Sequence, residues 1–288
     1  MSRIAYVNGN YRPISEAAIN VEDRGFQFSD GIYEVCFVVD GRLWDAPGHF
    51  RRWRYSLAEL KMRSPMGERA MRVVINRLLR VNRLSTALVY MQATRGVAPR
   101  NHAFPAEAIA PSFVVTVNPF DFAAAEGVAQ KGVGVTTAPD IRWARVDIKT
   151  ISLLPNVLAK DAARRQNAVE AWLHKDGLVT EGAASNAWII DQNGSLITHP
   201  LGGGILGGIT RERTLACAAA LGLHVEERPF TLEEAFKARE AFITAATMLV
   251  MPVISIDGKP VGTGTPGPVA TALRRAYIDQ CRAENSNS

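Results

Sequence analysis

Strand-like and helix-like runs alternate through the second half of the 288-residue chain, and this alternation limits the possible folds more than any other pattern. The strand-like runs lie at 133–137, 187–191, 196–199, 224–228 and 240–244. The helix-like runs lie at 156–166, 210–221, 232–237 and 268–282. Such alternation predicts a mixed α/β domain in which helices pack on a sheet.

Two β-hairpins are predicted near the start of the chain. Strand-like residues flank the dipeptide Asn8-Gly9, and others flank Asp40-Gly41. Both dipeptides accept the positive φ angles of a two-residue hairpin turn, which makes them strong hairpin signals. The polar, glycine-bearing segment 23–31 between the hairpins is predicted to be a loop.

Two amphipathic helices and two further strands complete the first half. Apolar residues recur at three- and four-residue spacing over 49–62, and the pattern repeats over 68–81. Segments 87–93 and 112–117 are β-rich. The irregular residues 94–111 between them form a long connection of the kind that often binds a ligand.

These patterns divide the chain into two domains. We predict a small α/β domain over 1–118, an interdomain connection over 119–131, and a larger domain over 132–288. The connection is assigned because residues 119–131 lack strong periodicity. A chain of 288 residues is long enough for two hydrophobic cores.

Composition and charge argue against several classes of protein. The hydrophobic fraction of 47% and the charged fraction of 21% are ordinary for a globular protein. The net charge is +5, but the arginines are spread along the chain, which favours small anionic ligands over nucleic acid. The longest mostly apolar stretch, 241–254, contains Pro252 and is shorter than the roughly 20 residues that cross a bilayer. We therefore predict neither a nucleic-acid nor a membrane partner.

The cysteines predict a reducing compartment. Cys36, Cys217 and Cys281 are scattered, odd in number and without CxxC spacing, so neither a disulfide framework nor a metal site is signalled. The first residues contain no apolar core of a signal peptide. These features together predict a cytoplasmic protein.

Lys149 is the candidate for covalent chemistry. The apolar residues around it are Ile148, Ile151, Leu153 and Leu154. Such surroundings favour the neutral form of an amine, and a neutral amine forms Schiff bases. On these residues alone, a partly buried structural lysine remains the alternative.

Four further features are candidates for binding a ligand, three of them for an anion and one for a heterocyclic nitrogen. Segment 207–211 opens a helix-like run, where free N–H groups and the helix dipole attract anions. Segment 244–247 follows a strand-like run, and Arg52 offers a positive charge. The carboxylate of Glu181 is suited to pair with a protonated ring nitrogen. Each also has a plainer interpretation as a turn or a solvated surface residue.

The order of these motifs resembles that of fold-type IV pyridoxal-phosphate enzymes. The segments that carry the resemblance are Asp147-Ile148-Lys149, Thr180-Glu181-Gly182 with Ser185-Asn186, Gly208-Ile209-Thr210-Arg211 and Thr244-Ala245-Ala246-Thr247. The likeness runs from Tyr6 to about Gly262. Within that group, segments 24–34 and 95–102 are similar to D-amino-acid transaminases, the first to a loop with a substrate-facing tyrosine and the second to an Arg-x-His carboxylate trap.

The resemblance implies a two-domain α/β (α+β) fold with a small N-terminal α/β domain and a larger C-terminal pseudo-barrel domain. It implies pyridoxal 5'-phosphate as cofactor and a homodimer in which the Arg-x-His loop reaches the neighbouring subunit. The implied reaction is transamination between D-amino acids, such as D-alanine and D-glutamate, and 2-oxo acids. The alternatives are an aminodeoxychorismate lyase or a branched-chain L-amino-acid transaminase, which are not expected to carry Arg-x-His, and a non-catalytic binding protein on the same scaffold.

The resemblance also assigns roles to individual residues. Lys149 would hold the cofactor covalently and move the substrate proton, and Glu181 would pair with the pyridine nitrogen. The remaining cofactor-binding residues would be Arg52, Leu206, Gly208, Ile209, Thr210, Ala246 and Thr247. The substrate carboxylate would be bound by Tyr33, Arg100 and His102. The departures from the family pattern are Ala183, Ala184, Ala245 and Ala246, where relatives often have serine, and the bulky Trp188.

Overall fold

The structure, a computed structural model, describes residues 3–202 and 204–286 and divides into two compact units. Unit 1 comprises the described residues up to Asp121 together with Ile148–Ser152. Unit 2 comprises Phe122–Asp147 and the described residues from Leu153 onward. The short segment that carries Lys149 therefore belongs to the N-terminal unit, although it lies far along the chain.

Unit 1 is built on a six-stranded antiparallel sheet. Its strands are β1 (Ile4–Val7), β2 (Asn10–Pro13), β3 (Gly31–Val39), β4 (Arg42–Leu43), β5 (Ala87–Thr94) and β6 (Ser112–Pro119), in the order β2-β1-β6-β5-β3-β4. Its helices are α1 (Arg24–Phe28), α2 (Ala46–Glu59) and α3 (Glu68–Asn82). Strand β3, the fifth in this order, packs against α2 and forms a β-bridge with the segment around Lys149 through Ile32 and Thr150.

Both predicted hairpins are confirmed, because β1 pairs with β2 and β3 pairs with β4. The turn residues Asn8, Gly9, Asp40 and Gly41 have φ angles of 46°, 92°, 51° and 76°. Two successive positive φ values follow the right-handed twist of the paired strands, which explains the Asn-Gly and Asp-Gly sequences.

The two amphipathic helices of unit 1 are also confirmed. Helix α2 buries Phe50, Trp53 and Leu57 in the core, and helix α3 buries Ile75 and Leu78. Each such side chain contributes roughly 1.5–3 kcal/mol when it is removed from water. This packing fixes the polar residues of α2 against the sheet.

The prediction of an irregular loop over 23–31 is wrong for Arg24–Phe28, which form α1. The Asp23 side chain accepts a hydrogen bond from the Gly25 N–H at 2.8 Å and so caps the helix. Ser29 ends it with a φ of 55°. Five residues are too few to show a helical period, so the capping aspartate was the available signal.

Unit 2 is built on a ten-stranded mixed sheet. The strands are β7 (Val133–Pro139), β8 (Glu170–Lys175), β9 (Leu178–Gly182), β10 (Asn186–Ile190), β11 (Leu196–Thr198), β12 (Val225–Glu227), β13 (Phe230–Thr231), β14 (Glu240–Ala245), β15 (Leu249–Ile256) and β16 (Lys259–Pro260). Their order in the sheet is β12-β11-β10-β14-β15-β7-β8-β9-β13, with β16 paired to β15. The helices are α4 (Phe122–Lys131), α5 (Leu154–Arg165), α6 (Ile209–Ala220), α7 (Leu232–Lys237) and α8 (Pro268–Ser286). The mixed α/β class predicted from the alternation is confirmed.

Sequence reasoning missed five strands in the described part of unit 2, namely β8, β9, β13, β15 and β16. Strand β15 is a continuous apolar run that carries Pro252, a residue that argues against a strand in sequence-based prediction. Where the sequence predicts an interdomain connection over 119–131, the structure has helix α4. Alanine favours helix without producing a strong apolar period, which explains the difference.

The register of β10 on β14 brings two of the sequence motifs to one edge of the sheet. These strands are antiparallel, and Asn186 lies opposite Thr244. Asn186 begins β10 and Thr244 lies near the end of β14, so the turn before β10 and the turn after β14 are neighbours. In the part of the chain that the structure describes, none of the helices has the length and apolar character that crossing a membrane requires.

Candidate active site

Lys149 lies on a segment of unit 1 that is hydrogen-bonded to β3. Its carbonyl accepts the Tyr33 N–H at 3.0 Å, and the Ile151 N–H donates to the Gly31 carbonyl at 3.1 Å. The Lys149 N–H donates to Ser56 Oγ of α2 at 3.2 Å. The backbone that carries the amine is therefore held from two elements.

The Lys149 side chain is half-buried and directed at a tyrosine ring. Its Nζ lies 4.2 Å from the centroid of the Tyr33 ring. Ile148 is buried, as the sequence predicts, but Leu154 is 69% exposed. The predicted apolar surroundings of the amine are thus present at Ile148 but not at Leu154, and the Tyr33 ring is an additional contact of the amine.

Arg52 belongs to a buried cluster of charges that sequence reasoning missed. Arg52 Nε donates to Glu34 Oε1 at 2.6 Å, and a second nitrogen of the same guanidinium donates to Glu34 Oε2 at 2.8 Å. His49 Nδ1 lies 2.9 Å from Glu34 Oε2. Glu34 is in a strand and His49 is on the inner face of a helix, positions that in a sequence usually indicate core residues.

The charges of this cluster fix one another. Burial raises the pKa of Glu34, but Arg52 and His49 outweigh burial and bring the pKa to about 2. Burial lowers the pKa of His49, but Cys36 and Glu34 raise it to about 9. At neutral pH Glu34 is ionised and His49 is protonated, so Arg52 is held in one orientation and is not the solvated helix-face arginine of the alternative interpretation.

Glu181 is the centre of a second buried cluster, in unit 2. Its Oε1 accepts a hydrogen bond from Arg142, and its Oε2 accepts one from Asn186 Nδ2 at 2.9 Å. The Leu206 N–H lies 3.0 and 3.1 Å from the two carboxylate oxygens. The surface-turn interpretation of Glu181 is therefore wrong, because its side chain is only 4% exposed.

Arg142 is shared between two carboxylates. It donates to Asp140 Oδ1 at 2.9 Å and to Asp140 Oδ2 at 2.7 Å, in addition to Glu181. Burial raises the pKa of Glu181 to about 7, although Arg142 and the Leu206 N–H lower it. Arg142 and Thr180 keep the pKa of Asp140 below its ordinary value, although burial raises it. Glu181 is thus a carboxyl group that changes protonation near neutral pH.

The Glu181 cluster is joined to the start of α6 through Asn186. Asn186 Nδ2 also donates to the Leu206 carbonyl at 2.9 Å. A Cβ at Gly208 would overlap Asn186 Oδ1, so only glycine allows this approach. Ile209 and Thr210 then begin α6, and their N–H groups belong to the first turn, which has no intrahelical acceptor. Sequence reasoning identified this glycine but not the reason for it.

The segment 244–247 forms the end of β14 and a tight turn before β15. Trp188 Nε1 donates to Thr244 Oγ1 at 2.9 Å, so the bulky indole supports the turn. Arg274 of α8 is 6% exposed and donates to the Met248 and Val250 carbonyls at 2.7 and 2.6 Å. Arg274 is a supporting residue that no sequence motif indicated.

The alanines at 183 and 184 do not leave their turn unsupported. Glu170 is fully buried and accepts the Ala184 N–H at 3.2 Å and Ser185 Oγ at 3.0 Å. Asn156 Nδ2 donates to the Ala183 carbonyl at 2.7 Å. The turn at Ala183 and Ala184 is therefore held by hydrogen bonds from Asn156 and to Glu170.

The predicted site residues fall into groups within each unit. In unit 1, Lys149 lies against Tyr33, and the exposed Arg100 and His102 both lie against the ring of Phe28. In unit 2, Glu181, Leu206 and the start of α6 are connected by hydrogen bonds, while Ala246 and Thr247 occupy the turn after β14.

The chain is similar to known proteins over most of its length. A family model described as amino-transferase class IV matches residues 31–256. The D-alanine aminotransferase of Bacillus licheniformis is 40% identical over 277 residues, which are 95% of this chain and 96% of that protein.

Solved structures show the same fold at lower sequence identity. The branched-chain amino acid aminotransferase of Escherichia coli has a TM-score of 0.88 at 21% identity, covering 97% of this chain and 94% of that one. A hypothetical aminotransferase from Mycobacterium tuberculosis, in its PLP-bound form, has a TM-score of 0.83 at 21% identity, covering 98% and 99%. Since the family match spans most of the sequence, the chain belongs to the class IV amino-transferase family.

Proposed function

We propose that the protein catalyses pyridoxal 5'-phosphate-dependent transamination between D-amino acids, such as D-alanine and D-glutamate, and 2-oxo acids. The 40% identity to a D-alanine aminotransferase over 95% of the chain supports the substrate class. The observation that carries the chemistry is the buried Glu181, whose pKa of about 7 suits a partner for a basic ring nitrogen.

The residues present fit this cofactor. Pyridoxal 5'-phosphate carries an aldehyde, a pyridine nitrogen and a phosphate, and the chain offers an amine, a buried carboxylate and several N–H donors for them. When bound, the cofactor withdraws electrons from the substrate Cα and so eases loss of its proton. The residues that the family resemblance assigns to these three groups are Lys149 for the aldehyde, Glu181 for the ring nitrogen, and Arg52 with the N–H groups of Ile209 and Thr210 for the phosphate.

Lys149 is assigned two tasks, to hold the cofactor covalently and to move the proton at the substrate Cα. A primary amine performs the second task only in its neutral form. The Lys149 Nζ lies 4.2 Å from the centroid of the Tyr33 ring, which places the amine beside a residue assigned to the substrate carboxylate. Because three backbone and side-chain groups fix its segment, the amine acts from a defined position.

Glu181 is assigned to the ring nitrogen. Arg142, Asn186 and the Leu206 N–H orient the carboxylate from different directions. A carboxyl whose pKa lies near neutrality shares a proton readily with a nitrogen base, and burial excludes the water that would weaken this interaction. Leu206 then has two assigned roles, since its side chain is predicted to pack against the ring.

The phosphate is assigned to Arg52, to the N–H groups of Ile209 and Thr210, and to the turn with Ala246 and Thr247. A helix N-terminus binds phosphate through unpaired N–H groups and its dipole. The pairing with Glu34 fixes the direction of the Arg52 guanidinium before the ligand arrives, which lowers the entropy cost of binding.

The substrate carboxylate is assigned to Tyr33, Arg100 and His102. An arginine pairs with a carboxylate through two parallel hydrogen bonds, which also sets the orientation of the substrate. The branched-chain transaminase alternative has support from the structural likeness to the Escherichia coli enzyme, but 21% identity carries the fold alone. Arg100 with His102 favours the D-amino-acid reading over that alternative and over the aminodeoxychorismate lyase.

A homodimer in the cytoplasm is part of the proposal. Large apolar side chains are exposed on α5, namely Leu154 at 69%, Val157 at 57% and Leu158 at 57%. They lie at positions i, i+3 and i+4 and so share one face of the helix, and an exposed apolar face is typical of a surface that meets another subunit. The three cysteines are free and buried, which suits a reducing compartment.

The test is the rate at which the purified, cofactor-loaded protein forms pyruvate from D-alanine and 2-oxoglutarate. We expect Lys149→Ala to abolish turnover, because the lysine is both attachment point and base, whereas the matched variant Lys131→Ala, at an exposed position of α4, keeps it. Substantial turnover in Lys149→Ala would overturn the assignment of the amine.

A further inference from the structure

The segment that carries Arg100 and His102 has no regular structure of its own. Residues 98–111 contain neither helix nor strand. Both side chains are exposed. Side chains on such a loop bind a ligand well only if other contacts fix them beforehand, since ordering them on binding lowers affinity.

Phe28, the last residue of α1, contacts both side chains. The Arg100 guanidinium carbon lies 4.7 Å from the centroid of the Phe28 ring. The His102 ring centroid lies 5.3 Å from that of Phe28, with the planes tilted by 51°. One aromatic ring is therefore the common support of the two groups assigned to the substrate carboxylate.

Arg24, the first residue of α1, holds the backbone of the same segment. It is 2% exposed, and its guanidinium donates to three successive carbonyls: Asn101 at 2.6 Å, Ala103 at 3.3 Å and His102 at 3.4 Å. The guanidinium carbon also lies 4.8 Å from the centroid of the Phe28 ring. The donors of this one planar guanidinium thus hold the loop backbone, which has no strand-to-strand hydrogen bonds of its own.

Asp30 fixes the position of the Arg24 guanidinium and pairs with a second arginine. It accepts hydrogen bonds from Arg24 Nε at 2.8 Å and from Arg95 Nε at 2.7 Å, both at Oδ2. Arg95 in turn donates to the Leu60 carbonyl at 2.8 Å and stacks 3.6 Å from the Phe104 ring centroid. Arg24 and Arg95 thus both contact the loop, and both are held by the carboxylate of Asp30.

Helix α1 is itself rigidly placed. The Arg24 N–H donates to the Gly96 carbonyl at 2.9 Å. The buried Asp23 caps the helix and accepts hydrogen bonds from Thr94 at 3.0 Å and Ser112 at 2.5 Å. A Cβ at Gly25 would overlap Thr94, so the helix lies directly on β5. Arg24 and Phe28, the two end residues of α1, therefore contact the loop from fixed positions.

We propose that α1 positions the substrate-binding loop, with Phe28 as the platform for the Arg100 and His102 side chains and Arg24 as the clamp on their backbone. Both are positioning residues, because they act through Arg100 and His102 and not on the substrate. The inference rests on the proposed function for its effect on substrate, but the order of the loop can be measured without it.

The kinetic test compares Phe28→Leu with Phe26→Leu, a phenylalanine of the same helix that is 79% exposed. We expect Phe28→Leu to raise the KM for D-alanine roughly five- to thirtyfold with kcat little changed, since a cation–π platform and its ordering are lost. Phe28→Tyr, which keeps the ring, restores the KM. The increase disappears when Arg100 is already alanine. An unchanged KM in Phe28→Leu, or an equal increase in the Arg100→Ala background, would overturn the proposal.

A second test reads the loop without activity. Trypsin cleaves after an exposed, mobile arginine, and the rate of cleavage at the Arg100–Asn101 bond can be followed by mass spectrometry. We expect Phe28→Leu and Arg24→Lys to increase that rate relative to Phe26→Leu, with an unchanged melting temperature for Phe28→Leu. Equal rates in Phe28→Leu and Phe26→Leu contradict the proposal, whereas wild-type protein that fails to turn over D-alanine contradicts only the proposed function.

Discussion

The two buried carboxylate clusters differ in how firmly they hold their charge. In unit 1, Glu34 is paired with Arg52 and His49, and its pKa is lowered to about 2. In unit 2, Glu181 is paired with Arg142, and burial raises its pKa to about 7. Both carboxylates are almost completely buried, so burial alone does not explain the difference.

The ratio of cations to carboxylates explains it. Glu34 is paired with two cations, Arg52 and His49, whereas Glu181 is paired with Arg142, which also pairs with Asp140. An opposite charge stabilises the ionised form, and a neighbouring carboxylate opposes it. The first cluster therefore keeps fixed charges that orient Arg52, and the second keeps a carboxyl group that exchanges a proton. The proposed function assigns the phosphate to the arginine of the first cluster and the ring nitrogen to the carboxyl of the second.

The largest expected effect comes from removing the titratable carboxyl group of Glu181. Glu181→Gln keeps the shape and one oxygen that can accept from Arg142 but cannot ionise, so we expect kcat with D-alanine to fall by about 10²–10⁴-fold, the range lost with a positioned proton-transfer group. Single-turnover absorbance measures the step. Glu233→Gln, on the exposed face of α7, is the control. Wild-type rates in Glu181→Gln would show that the ring nitrogen has another partner.

Next in size is the loss of the fixed carboxylate. Glu34→Gln removes the carboxylate that pairs with Arg52 and His49, and breaking a buried pair in this way typically costs about 3–5 kcal/mol of unfolding free energy. Urea denaturation of the cofactor-free protein measures it. A loss below about 1 kcal/mol would mean that solvent reaches the cluster.

Removal of the oriented guanidinium should affect cofactor binding more than folding. In Arg52→Met we expect the Kd for pyridoxal 5'-phosphate to rise by about 10- to 150-fold, which corresponds to about 1.5–3 kcal/mol for a charge-assisted hydrogen bond. Fluorescence titration of the cofactor-free protein measures the Kd, with Arg69→Met on the exposed part of α3 as control. An unchanged Kd would contradict the role assigned to Arg52.

The smallest effect is a pH dependence of stability. The folded protein raises the pKa of His49 from 6.5 to about 9, so its contribution to stability is complete below pH 6.5 and is lost as the pH rises through about 9. The free energy of unfolding should therefore fall between pH 7 and pH 9.5 more steeply in the wild type than in His49→Asn. Parallel profiles for the two proteins would show that His49 is neutral in the fold.

Sequence reasoning recovered the local parts of this structure. The hairpins at Asn8-Gly9 and Asp40-Gly41 and the helices α2 and α3 depend on neighbouring residues, and local patterns were sufficient to predict them. The segments of the candidate site were located through the order of short motifs, which is also a property of the linear chain.

The partners of the site residues were not recoverable in this way. Arg52 meets Glu34 across 18 positions and Arg142 meets Glu181 across 39, and pairs so far apart leave no periodic trace in the sequence. The same holds for Arg24, whose carbonyl acceptors lie 77–79 positions away. Buried charges are placed by tertiary packing, so their identity emerges only when the strands and helices are in register.

The stereochemistry of the half-reaction tests the proposed function most directly. The cofactor-loaded protein is mixed separately with D-alanine, L-leucine and aminodeoxychorismate, and the visible absorbance of the bound cofactor is followed. We predict that D-alanine removes the absorbance and that 2-oxoglutarate restores it. A response to L-leucine alone, or release of pyruvate from aminodeoxychorismate, would contradict D-amino-acid transamination and the role assigned to Arg100 and His102.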